Sequence, residues 1–193
     1  MKKIIVSVLF ICISTAQNSV VRQFSKAFAD VAEKAKPAVV TIITDKLVSL
    51  NQFDDFGFFF YQPNIPRQRE FKTNALGSGV IVDAKKGYIL TNNHVVDEMD
   101  GIRVKLIDKR EFDATIIGTD PKTDLAVLKI DADDLEDIDL GDSENIRVGE
   151  WVMAVGSPFS ENLSHTVTTG IVSAIGRSNI LNSGSYEDFI QTD

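Results

Sequence analysis

Gly77-Ser78-Gly79-Val80-Ile81-Val82-Asp83, followed after Ala84-Lys85-Lys86 by Gly87-Tyr88-Ile89-Leu90-Thr91-Asn92, reads as two short strands joined by a turn. Both runs favour Val, Ile and Tyr, residues that suit a pleated and half-buried surface. The second run leads directly into Asn93-His94-Val95-Val96, which holds one of only two histidines in the chain. Alone, a histidine at a strand end is as easily a polar surface residue as a working imidazole. What else lies at fixed distances along the chain decides between the two.

On either side the same pattern repeats. Ala38–Thr44, Ile102–Asp108, Glu111–Asp120 and Leu125–Asp131 are further short runs rich in apolar residues, separated by Gly, Asp and Lys turns. Six strands at this spacing predict a small closed antiparallel barrel. Between the first two strands, residues 45–76 read as a long loop carrying Phe53, Phe56, Phe58, Phe59, Phe60 and Tyr61. Two readings of that cluster stay open. It folds onto its own barrel, or it forms an exposed apolar flap for substrate or a neighbouring subunit. After an acidic linker, 131–150, which reads as solvated surface, strands resume at Trp151–Ser157, His165–Arg177 and Phe189–Asp193. So few strands do not close a second barrel, and an open sheet edge is unfavourable. The fold expected is therefore all-β, a double barrel with the first barrel complete and the second truncated, preceded by a short N-terminal helix.

The first residues, Met1-Lys2-Lys3 and then an apolar run from Ile4 to Ile13, end in Ser14-Thr15-Ala16. That is the pattern of a secretory signal peptide, residues 1–16, cleaved after Ala16. Bulky Ile11 beside Cys12 argues against a lipid anchor, so no stable membrane anchor is expected after cleavage. Residues 17–36 form an N-terminal segment in which Phe24, Ala27, Phe28, Val31, Ala32 and Ala35 recur at helical spacing until Pro37 stops them. Removing residues 1–16 leaves 177 residues without a cysteine and, with Lys2 and Lys3 gone, takes the net charge from −8 to −10. An exported domain of this size needs no disulfide if its core is adequate. Its acidity argues against nucleic acid as a partner. With two histidines and no cysteine left, a zinc site is not expected, and nothing suggests another cofactor.

Thirty residues after His94 stands Asp124, at the start of the strand Leu125–Asp131. A histidine ending one strand and an aspartate opening another can meet at one end of a barrel. An aspartate that accepts from one imidazole nitrogen fixes the tautomer and leaves the other nitrogen basic. The pair alone is a weak signal, but one group of hydrolases orders its triad as His, then Asp, then Ser in a second barrel.

The blocks "GSGVIVD…GYILTNNHVV", "DATIIGTDPKTDLAVLKI", "LGDSENIRVGEWVMAVGSPF", "TVTTGIVSAIGR" and "FIQTD" resemble the HtrA (Deg, Do-like) family of trypsin-like serine endopeptidases. The likeness runs from about Lys36 to Asp193. It implies that 37–193 is the N-terminal part of a trypsin-like protease domain, with His94 as general base and Asp124 as its orienting partner. It further implies a periplasmic enzyme of protein quality control and stress response that cleaves unfolded or damaged envelope proteins. A homotrimer or larger homo-oligomer of the full-length protein is implied as well, as is a regulatory role for the aromatic loop.

The family's pattern continues past "FIQTD" into a Gly-Asn-Ser-Gly-Gly turn that carries the nucleophile, so the nucleophile is expected beyond residue 193. Within the chain, Asn182-Ser183-Gly184 looks like that turn but precedes "FIQTD", and Ser183 reads as a surface loop residue. His165 reads as a solvated or strand-edge residue. Gly156-Ser157-Pro158-Phe159-Ser160 stands where the family usually has Gly-Asn-Pro-Phe-Gly. No PDZ domain is expected within 1–193, and the 193 residues alone are expected to be inactive. The alternative is a non-catalytic, protease-like module that binds unfolded protein or a related protease.

Overall fold

The computed structural model describes residues 2–49, 70–157, 165–178 and 186–193. They fall into two units, 1–36 and 37–193. The first unit is one helix, α1, Lys2–Ala35. It is far longer than the short helix expected, because neither glycine nor proline interrupts the chain before Pro37. Phe24 and Phe28, one turn apart, meet edge to face with ring centroids 4.7 Å apart. No helix among the described residues is long and apolar enough to cross a membrane.

A 3-10 turn, Lys36–Ala38, carries the chain from the first unit into the second. The second unit's strands are β1 (Val39–Ser49), β2 (Glu70–Asp83), β3 (Tyr88–Asn92), β4 (Gly101–Lys105), β5 (Glu111–Asp113), β6 (Thr115–Asp120) and β7 (Leu125–Lys129). They pair antiparallel in the order β5-β4-β1-β2-β3-β7-β6. The two outermost strands, β5 and β6, are separated in the chain by Ala114 alone, so the sheet curls back on itself. Ala114 N–H donates to the carbonyl of Ile102 at 2.9 Å. The single strand expected over 111–120 is thus two. Its first half pairs with β4 and its second with β7, which is what turns a sheet into a barrel.

Burial alternates on β3, β4 and β7, sending Ile89, Ile102, Val104, Ala126 and Leu128 inward. With Val40, Ile42, Ile81 and Ile130 they make the core. β1 differs, since every residue from Val39 to Thr44 is buried. Both of its faces are covered, which fits its unbroken apolar composition. The loop expected over 45–76 is also too wide. The β1–β2 register runs unbroken from Val39↔Val80 to Ser49↔Glu70. Residues 45–49 and 70–76 therefore belong to a paired ribbon, and the aromatic cluster 53–61 lies outside the described residues.

The acidic linker follows the barrel surface. Asp137 accepts from the Ala84 N–H at 2.9 Å, and Ile138 N–H reaches the Ile81 carbonyl at 3.2 Å. A second sheet follows: β8 (Trp151–Gly156), β9 (Thr166–Arg177) and β10 (Phe189–Thr192), in the order β10-β9-β8. It meets the barrel through polar contacts. The hydroxyls of Thr41 and Ser157 lie 2.6 Å apart in a buried setting, and the Ser157 N–H donates to Ser78 Oγ at 2.8 Å. Ser157, in the segment that departs from the family's usual Gly-Asn-Pro-Phe, is thus a joint between the sheets and only 3% exposed. His165 is a joint too: it stands at the edge of β9, one of the two places expected for it, half-buried with its Nε2 2.9 Å from the Val39 carbonyl oxygen.

Candidate active site

Because β3 and β7 are antiparallel neighbours with Asn92 opposite Leu125, the end of one lies beside the start of the other. The thirty residues between His94 and Asp124 therefore close into one short contact. The chain leaves β3 into a single helical turn, α2, Asn93–Val96. Val96 is buried there and Val95 presses on Gly77 of β2, where an added Cβ would collide with both Val95 methyls. The first glycine of Gly77-Ser78-Gly79 is what lets the histidine-bearing turn sit directly on the sheet.

Asp124 enters β7 from the turn Asp120–Asp124. The turn is tied by the Lys122 N–H donating to Asp120 Oδ1 at 3.0 Å. Asp124 adopts φ +55°, a left-handed conformation that aspartate tolerates better than most side chains. Its carbonyl accepts from the Asn93 N–H at 3.0 Å. Its carboxylate accepts from the His94 N–H through Oδ1 at 2.9 Å and faces His94 Nδ1 through Oδ2 at 2.7 Å. Partial burial pushes the pKa of Asp124 up, but the bonds from the His94 backbone and ring, the charge of His94 and the Asn92 amide outweigh it. The net pKa lies below the ordinary 3.8.

Asp124 is therefore ionised near neutral pH and can only accept a hydrogen bond. It follows that Nδ1 carries the ring proton and Nε2 presents its lone pair. The imidazole is 71% exposed against 40% for the carboxylate. The orienting group is thus held back while the imidazole stands largely in solvent. Such an arrangement can take a proton from a hydroxyl placed at Nε2 and hold the resulting imidazolium against Asp124. A cleft of about 270 Å³ opens beside it, lined by Val39, Ser78, Thr91, Asn92, Leu125 and Val155.

The sequence reading singled out His94 and Asp124, and the structure brings them together. It passed over Asn92, whose side-chain amide donates to the Asp124 carbonyl at 3.1 Å and to Asp124 Oδ2 at 3.2 Å. The signal was in the quoted stretch, since the last residue of β3 is the one opposite the start of β7. Ser183 lies outside the described residues.

A closed antiparallel barrel that offers a His–Asp pair beside a second β-sheet defines the class of trypsin-like peptidases. The trypsin-like peptidase domain matches residues 77–193. The "Probable periplasmic serine endoprotease DegP-like" of Marinomonas sp. (strain MWYL1) is 46% identical over 186 residues, which is 86% of this chain and 38% of that protein. The "Probable periplasmic serine protease do/HhoA-like" of Haemophilus influenzae (strain ATCC 51907 / DSM 11121 / KW20 / Rd) is 44% identical over 181 residues, again 86% of this chain and 38% of that protein. Among solved structures, "HtrA-type protease AlgW with decapeptide" superposes with a TM-score of 0.68 at 43% identity, covering 86% of this chain and 51% of the other. The chain belongs to the trypsin-like serine peptidases, in their HtrA/DegP branch. It spans well under half the length of these curated relatives.

Proposed function

We propose that this chain is the first part of the protease domain of an exported, periplasmic HtrA-type serine endopeptidase that degrades unfolded or damaged envelope proteins. Residues 1–16 are its signal peptide. His94 is the general base, Asp124 orients it, and the nucleophilic serine is supplied by the full-length protein beyond residue 193. The observation that carries the reading is the 2.7 Å contact of His94 Nδ1 with Asp124 Oδ2, made by an imidazole that is 71% exposed. In the reaction, Nε2 takes the serine proton as the hydroxyl oxygen attacks the scissile carbonyl. The same nitrogen then returns the proton to the leaving amine. The names of the relatives support the periplasmic setting, and a decapeptide bound to one HtrA-type neighbour supports a peptide substrate. Further copies of the full-length chain, as a trimer or larger assembly, complete the partners in this reading.

The test is His94→Ala in the full-length protein, assayed on labelled casein. Cleavage should fall by roughly 10⁵–10⁶-fold with the fold intact, because a triad works as a unit. Full activity in that variant sinks the assignment. Residues 1–193 alone should not cleave casein at all.

A further inference from the structure

The carboxylate that orients His94 is itself held by a third side chain. Asn92 is the last residue of β3 and lies opposite Leu125 in the β3–β7 ladder. Its amide nitrogen reaches two acceptors on one residue, the Asp124 carbonyl at 3.1 Å and Asp124 Oδ2 at 3.2 Å. Both partners accept only, which fixes the amide orientation, with the NH₂ towards Asp124.

From this geometry we infer that Asn92 is a positioning residue of the protease, acting on His94 through Asp124; the inference rests on the function proposed above. The bonds divide the work. The His94 N–H holds Oδ1, the His94 ring and the Asn92 amide share Oδ2, and the Asn93 N–H holds the carbonyl. The His94 N–H fixes Oδ1 to the backbone of α2, whereas the ring bond alone leaves Oδ2 free to turn with the imidazole. Asn92 ties both the carboxylate and the left-handed backbone of Asp124 to the end of β3. Among the described residues, Asn92 and His94 are the two whose side chains bond to the Asp124 carboxylate. Without Asn92, Oδ2 and the His94 ring can swing together about the bond that holds Oδ1. Nε2 then leaves the line of attack, while the rest of the cleft lining, Val39, Ser78, Thr91, Leu125 and Val155, stays as it was. The loss should therefore appear in kcat and not in KM, since misplacing a reacting group costs rate without costing ground-state binding.

The experiment uses the full-length protease and a fluorogenic peptide with valine at the cleaved position. Asn92→Ala should lower kcat about tenfold with KM within about twofold. In an Asp124→Ala background, adding Asn92→Ala should change kcat by less than about twofold, because a residue that acts through Asp124 has nothing left to position. A residue with a merely structural role would cost the same in both backgrounds, and that result overturns the inference. So does a kcat for Asn92→Ala within about twofold of the parent, or a loss confined to KM. If Asn92→Ala does not fold, Asn92→Asp decides instead. It has the same shape but sets a carboxylate against Asp124, and kcat must again fall about tenfold or more. His94→Ala runs alongside. If it stays fully active, the function proposed above fails. If it is dead while Asn92→Ala is unimpaired, only the role of Asn92 fails.

Discussion

In the seven-stranded sheet Ile42, Ile81, Ile89, Val104 and Leu128 are buried almost completely. In the three-stranded sheet Trp151, Ile175, Phe189 and Ile190 stand in the open, and Val172 is its one fully enclosed apolar side chain among the described residues. Strand chemistry does not explain the difference. β9, Thr166–Arg177, is longer and as rich in β-branched residues as β4 or β7. What separates the regions is closure. Ala114 lets one run of residues pair with β4 on one side and β7 on the other, so every inward side chain meets another across the barrel. The second sheet has no such turn among its described residues. The lesson is that a strand's apolar face stabilises only when topology supplies the opposite wall.

Truncating each region should separate them most strongly. Leu128→Ala removes a buried side chain from the closed barrel and should cost about 2–5 kcal/mol in urea unfolding of the full-length protein. Ile175→Ala removes one that is 52% exposed here, and in residues 1–193 by themselves it should change stability by no more than about 0.5 kcal/mol. Equal costs in the full-length protein would show that Ile175 is enclosed there and that the contrast belongs to residues 1–193 alone.

A sharper version acts at glycines. Gly77→Ala drives a methyl into Val95 and lifts the turn that carries His94. It should cost about 1–3 kcal/mol and lower casein cleavage with it. Gly118→Ala on β6 meets nothing within 4 Å and should leave both stability and cleavage unchanged. Parallel losses from the two substitutions would break the link between close packing of α2 and activity.

The joint between the regions comes next in size. Ser157→Ala removes the hydroxyl 2.6 Å from that of Thr41 and leaves the backbone bond to Ser78 in place. A loss of about 1–2 kcal/mol is expected from so buried a contact. A thermal scan that shows no change would mean the sheets are held without this hydroxyl pair, through the contacts of Ser157 N–H with Ser78 and of His165 with Val39.

Much of this was legible in the sequence, for identifiable reasons. Period-two runs such as Tyr88–Asn92 and Leu125–Lys129 announce strands because each has one dry face and one wet face. His94 and Asp124 stood out because the chemistry needs both and the barrel ends bring them together. The split at Ala114 was not legible. Glu111–Asp120 holds no proline, and its weak strand formers Asp113, Ala114 and Gly118 do not single out one break, so only the partners on each side dictate two strands. The ribbon over 45–49 and 70–76 was hidden by the polar and charged residues within it, though backbone pairing needs no apolar face. Asn92 was missed because an asparagine amide signals nothing until its acceptors are in place.

The smallest effect concerns the pH dependence of Asp124, the residue where barrel closure and candidate chemistry coincide. Its folded pKa lies below the ordinary 3.8 because the bonds from His94 and Asn92 favour the charged form. A depressed carboxylate stabilises the fold at pH values above its unfolded pKa. That contribution fades as pH falls from the ordinary value through the folded one. Asp124→Asn should therefore lower the urea midpoint at about pH 7, with the gap from the parent narrowing as pH falls below about 3.5. At 40% exposure the carboxylate keeps much of its hydration, so the shift should be modest. A gap of constant size across that range would mean that shape, not charge, is what the turn takes from Asp124. The His94 contact would then be a consequence of the turn and not part of what holds it.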